Sequence, residues 1–306
     1  MTLRLQKQKF DSFLSKIIWK ENNLDFWSFM NILNFGDCIK NGNYKLHSKF
    51  ENVHNYINNK QLVSLVSTKV GTGPNNIVIE NFPQHAEQTL RVTNTNISMG
   101  NNALNIGYIE PTLIQNIYIS NIDKLISHID ILVNDLANKI SPKSLGFLLF
   151  PKNEVFFQTI FEKAFLDHVR NTCQRITLEK LPVIAKNMRG VGFGLTPSGD
   201  DFNCGILYAL NYLNKINSYD FSELIEECYS NSIGKNLISN TFLEYAYSNK
   251  FYENFHQLLI SLRHNNIRLI SQFANNIIGS GHTSGSDMLT GFIVTIKGVL
   301  NDKKHC

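Results

Sequence analysis

Apolar positions change their spacing twice along the chain. Over residues 10–35 they fall at mixed helical intervals, with Phe13, Ile17, Ile18, Leu24 and Trp27 leading toward Gly36, which predicts one or two lead-in helices within residues 1–45. Between 46 and 120 the runs shorten: Leu62, Val63, Leu65 and Val66, then Ile77 to Ile79, then Leu90 and Val92 alternating with polar neighbours, then Ile114, Ile117 and Ile119. Asn81 to Pro83 and Asn101 with Asn102 punctuate them. Gly71, Thr72, Gly73, Pro74, Asn75 and Asn76 read as a hairpin turn, because Gly and Asn supply positive φ there. This texture predicts a β-rich domain of short strands over 46–120, barrel- or sandwich-like.

At Asn121 the period switches to that of a helix. Ile122, Leu125, Ile126, Ile129, Leu132, Val133, Leu136 and Ile140 recur at i, i+3, i+4 and i+7. Pro142 and Pro151 then bracket Gly146 to Phe150, a short buried strand or extended linker. Beyond it helices are expected near 154–170, 173–187, 199–214, 221–232, 237–248, 251–263, 267–278 and 286–300. The fold class is therefore α+β: an N-terminal β-rich region followed by a mostly α-helical domain over 121–306.

Composition narrows the partners. The 306 residues are 43% hydrophobic and 18% charged, which is ample for a packed core. Lys and Arg exceed Asp and Glu by only four and form no stripe, so nucleic acid is not an expected partner. No apolar run approaches the roughly 20 residues of a membrane span, and polar residues interrupt the N-terminus before a signal segment could form. Five scattered cysteines, at 38, 173, 204, 228 and 306, fit reduced thiols; a cytoplasmic protein is expected.

Candidate chemistry concentrates in two glycine-rich turns. The first runs Gly190, Val191, Gly192, Phe193, Gly194, Leu195, Thr196, Pro197, Ser198, Gly199, Asp200, Asp201, and leads into a helical stripe from Phe202 to Leu213. The second runs Gly279, Ser280, Gly281, His282, Thr283, Ser284, Gly285, Ser286, Asp287. Aligning Ser198 with Ser284 repeats Ser, Gly, any residue, Asp, three residues, Gly at an offset of 86 (284 less 198), with Gly205 and Gly291 as the last match. A structural duplication is expected. Ser198 is the N-cap candidate, and Asp200 and Asp201 suit the positive end of the helix dipole.

Two converging helix starts would offer free amides to phosphate or carboxylate, with Thr196, Ser198, His282, Thr283 and Ser284 as rim donors. Asp200, Asp201 and Asp287 could hold Mg²⁺ through one or two carboxylates plus water and phosphate oxygens; no other cofactor is indicated. A tightly packed, capped helix pair fits the same residues. No Walker lysine follows the glycines, and no nucleophile elbow or HExxH occurs.

The run Gly192 to Phe202 with Gly205, and the second turn Gly281, His282, Thr283, Ser284, Gly285 with Asp287 and Gly291, resemble the AllH-type family. Its GxGLTPSGDDF signature is matched by the first run. His47, Ser48 and Phe50, and Gly73 to Val78, look like earlier landmarks, so the resemblance runs from about 45 to 297. Asn203 and Cys204 depart from the small apolar residues usual there.

The resemblance implies a subunit of oxamate carbamoyltransferase, an allantoin-degrading step of purine catabolism in which oxalurate and phosphate give oxamate and carbamoyl phosphate. It implies an FdrA-type subunit and a second large subunit as partners. On that reading His282, Asp201 and Asp200 are the catalytic candidates. Gly192, Gly194, Thr196, Ser198, Gly199, Gly281, Thr283, Ser284, Gly285, Asp287 and His47 are the binding candidates. The alternatives are a non-catalytic scaffold subunit and a stand-alone phosphate-ligand enzyme.

Overall fold

The computed structural model describes residues 30–304 apart from 60, 101, 107–121, 216–219, 265 and 280. The chain divides into two compact units, residues 1–112 and 113–306, one of strands and one of helices. The α+β class and the segregation of strands from helices are as the spacing predicts.

The first unit is one curled sheet of β1 (Asn31–Phe35), β2 (Gly42–Lys49), β3 (Val53–Asn58), β4 (Gln61–Ser67), β5 (Asn76–Ile79), β6 (Thr89–Val92), β7 (Ile97–Met99), β8 (Asn102–Ala103) and β9 (Asn105–Ile106). Its order is β8-β7-β6-β2-β3-β4-β5-β1-β9. The two margins, β8 and β9, are separated in sequence by Leu104 alone, so the sheet must bend until they lie within reach of a few residues. Met30, Ile32, Tyr44, Tyr56, Leu65, Ile77, Leu90, Val92 and Met99 fill one face. A hydrogen-bonded ladder crosses the other: Asn55 Nδ2 donates to Ser48 Oγ (3.0 Å) and Ser64 Oγ to Asn55 Oδ1 (2.8 Å).

Two expectations for this unit are corrected. Asn31–Phe35 lies inside the 1–45 segment read as lead-in helices and Gly42–Lys49 begins inside it, and both are strands; residues 10–29 of that reading lie outside the described residues, as do Ile114, Ile117 and Ile119. Three apolar residues before a glycine cannot set a period, and the ladder offered by β5 decides the conformation. Gly36 fits its place because a Cβ there would stand 2.2 Å from the carbonyl oxygen of Pro74. Nor is the Gly71–Asn76 segment a hairpin turn, for β4 and β5 are parallel. Ser64 pairs with Asn76, so the loop returns only about three residues along the strand and avoids the usual long crossover.

The second unit comprises α1 (Ile122–Leu136), 3₁₀ turns at Leu145–Leu148, Pro151–Phe156 and Leu178–Lys180, then α2 (Ile160–Cys173), α3 (Leu181–Met188), α4 (Ser198–Leu213), α5 (Ser222–Ser232), α6 (Leu237–Tyr247), α7 (Glu253–Arg263), α8 (Ile267–Ile278) and α9 (Ser284–Lys304). Gly146–Phe150 is thus neither strand nor linker: Ser144 caps a 3₁₀ turn by accepting the Gly146 N–H (3.1 Å). α4 is the axis of the unit and every one of its residues is buried. Its polar members are tied inward, Asn203 to the Ala185 carbonyl and Asn211 to that of Ala246, both at 2.8 Å. α9 lies along α4, and α3, α5 and α6 pack around it.

Candidate functional site

Each glycine turn joins the end of one helix to the start of the next. Gly190, Gly192 and Gly194 have φ of 72°, 111° and 107°, a left-handed sequence that side chains resist, and Gly281 repeats it at 72°. A Cβ on Gly199 would meet the Met188 carbonyl at 1.9 Å, and one on Gly285 the Ile277 carbonyl at 1.8 Å. Both helix starts are therefore jammed against the helix that precedes them. Further along, Gly205 approaches the Met288 carbonyl and Gly291 that of Phe202. Shifted by 86 residues, each contact becomes the other, so the sequence repeat is also a reciprocal pairing of α4 with α9.

The acidic side chains cross between the repeats. Asp201 Oδ2 accepts the Thr196 hydroxyl (2.9 Å), and the hydroxyl of Ser284, from the other turn, faces the same carboxyl. Asp287 Oδ1 accepts the Leu145 N–H (2.6 Å), and Ser198 and Thr283 face its carboxyl. Burial, and then the charge of Asp287, push Asp201 well above the usual carboxylate range. Burial also raises Asp287, to about 7. Asp200 turns elsewhere: its Oδ1 accepts the Gly190 N–H (2.7 Å), and burial raises its pKa while Gly190 and Arg189 oppose the rise.

Several predicted roles change in this geometry. Ser198 is not the N-cap but the first helical residue; Pro197 holds the cap position, where its ring has no group to cap with, and the Ser198 hydroxyl serves Asp287. The Gly199 N–H is spent on the Val191 carbonyl (2.8 Å). Among the described residues no three of His, Cys, Asp and Glu gather as a metal ion requires, Asp200 being held at Gly190.

The surface of the turns consists of Phe193, Gly194, Gly281 and His282, all exposed, with Thr196 and Thr283 half-buried. His47 lies in the other unit, on β2, with its side chain exposed. The described cysteines form no disulfide; burial pushes the Cys173 and Cys228 thiols up to about 12.

A third segment, which the sequence did not point to, braces the second turn. The Ser141 N–H donates to Ser286 Oγ (3.1 Å) and its hydroxyl to the His282 carbonyl (2.8 Å), while Leu145 reaches Asp287. Ser141 and Ser144 beside Pro142 were its only local signal, since contacts across some 140 residues leave no periodic trace.

Residues 188–296 of the helical unit match the family model described as oxamate carbamoyltransferase subunit AllH, a match to about a third of the chain that supports an AllH-type assignment. The match spans both turns and does not extend to the landmarks at His47 and Gly73. No curated protein and no solved structure matches the chain. No described helix is long and apolar enough to cross a membrane.

Proposed function

We propose that the chain is a subunit of a cytoplasmic carbamoyltransferase complex that phosphorolyses oxalurate, and that phosphate or carbamoyl phosphate binds over the paired turns. In that reaction a phosphate oxygen attacks the carbamoyl carbon, the C–N bond to oxamate breaks, and the departing nitrogen takes a proton. The observation that carries the reading is the meeting of two helix starts beneath exposed glycine turns, where backbone amides and helix dipoles favour small anions.

Gly192, Gly194 and Gly281 let the backbone approach the ligand, and Thr196 and Thr283 add hydroxyl donors. On this reading His282, which is exposed and whose backbone carbonyl accepts the Ser141 hydroxyl, orients the phosphate or supplies the proton. An FdrA-type subunit and a further large subunit would complete the assembly.

Thermal unfolding of the purified chain with and without phosphate and carbamoyl phosphate tests the reading, since ligand at about 100 times Kd adds about 2.7 kcal/mol to the folded state. A rise in Tm that disappears in His282→Ala is expected, together with lost turnover by that variant in the reconstituted complex. Unchanged turnover removes the role of His282.

A scaffold reading rests on a separate observation: Thr196, Ser198, Asp200, Asp201, Ser284 and Asp287 are largely occupied with one another or with backbone. It predicts no ligand shift and an active complex with His282→Ala.

A further inference from the structure

Asp201 and Asp287 are shut off from solvent, 1% and 0% exposed, on the two helices α4 and α9 that pack together, and the charge of Asp287 acts on Asp201. Thr196 and Ser284 offer hydroxyls to Asp201, and Ser198 and Thr283 offer theirs to Asp287, yet one of the four oxygens is left unserved. Asp287 Oδ2 is buried without a hydrogen-bond partner, while its Oδ1 holds the Leu145 N–H. Among the described residues no Lys or Arg acts on either carboxyl. The charged or titratable neighbours are Asp200 and Cys204 on α4, with Arg189, at the end of α3, acting on Asp200. The 145–148 turn contributes only the Leu145 amide, and the 281–284 turn carries the exposed His282.

Two bare carboxylates in such a shell repel one another and leave an acceptor without a donor. One proton between them removes both faults. We propose that Asp201 and Asp287 share a single proton, and that this proton ties the two helix starts together. With one proton held by the two carboxyls, the pair carries one negative charge instead of two. The inference concerns the buried floor beneath the turns and does not depend on the anion reading.

The consequence is a pH dependence of known sign. In the unfolded chain both carboxyls ionise near pH 4, whereas the folded pair keeps its proton through neutrality. The folded state then binds one proton more than the unfolded, so stability is fullest at acid pH and falls as pH rises.

The experiment is thermal unfolding of the full chain between about pH 5.5 and about pH 8.5 for wild type, Asp201→Asn and Asp287→Asn. Wild type should lose about 3 to 5 °C per pH unit from this source. Either carboxamide alone should abolish that slope, because its N–H stands where the proton stood. A wild type without the slope, single variants that keep it, or variants that each remove half of it, as two independent carboxyls would, overturn the proposal. Should neither variant fold, infrared spectra of wild type with ¹³C-labelled Asp decide. A protonated carboxyl band persisting at about pH 8 and shifting in D₂O is expected, and its absence overturns the proposal.

Discussion

A Cβ on Gly205 would stand 2.1 Å from the carbonyl oxygen of Met288, and one on Gly291 would stand 2.2 Å from that of Phe202. The two helices thus touch backbone to backbone at equivalent points. Neither carbonyl can yield without moving its helix. Gly205→Ala and Gly291→Ala should each destabilise the helical unit by about 3 kcal/mol, the upper end of overpacking in a rigid core. Denaturant midpoints check this, and the reciprocity predicts similar losses at both sites.

Gly194 separates backbone strain from collision. Its φ is 107°, yet a Cβ would meet nothing closer than the Thr196 carbonyl at 3.5 Å. Gly194→Ala should cost about 1 to 2 kcal/mol through strain alone. If the turn holds phosphate, calorimetry should show the affinity falling several-fold, because the amides are re-aimed.

Removing the Thr196 hydroxyl leaves a buried carboxyl oxygen without its donor. Thr196→Val should therefore lower stability by about 1 to 3 kcal/mol, read from denaturant unfolding. The same substitution at Thr93, whose hydroxyl bonds within an exposed turn, should cost about 0.5 kcal/mol or less.

His54 gives the sheet unit the opposite pH response to the carboxyl pair. Burial, and then the charge of Lys49, lower its pKa to about 4, and both ring nitrogens are buried without partners. Held neutral in the folded state and protonated below about pH 6.5 when unfolded, it lowers stability as pH falls from about 6.5 toward 4. His54→Leu should remove about 2 to 3 kcal/mol of that acid loss. Hydrogen exchange of β3 and β4 amides at about pH 5 and about pH 7 measures it.

The helices were legible because their stripes are long: α1, α5, α6, α7 and α8 begin and end within a few residues of the spacing that predicts them. Strand β1 was not, since its few apolar residues acquire a conformation only through pairing with β5. The parallel return from β4 to β5 was hidden because Gly and Asn mark a tight turn without fixing its direction.

At the site, the offset of 86 exposed the duplication, and first-turn placement marked Asp201 and Asp287. That each would face the hydroxyl of the other repeat was not readable. Such crossing depends on how α4 meets α9, which Gly205 and Gly291 permit and no local pattern encodes.

Leu104 has a bearing on assembly. The two residues of β8 pair with β7 and the two of β9 with β1, each on its inner side only, so both margins of the sheet end in a strand of two residues. A neighbouring polypeptide that meets β8 or β9 therefore finds only a short row of amides to extend. Edges so short give strand-to-strand aggregation little to build on, and an association at these margins depends on side chains more than on backbone pairing.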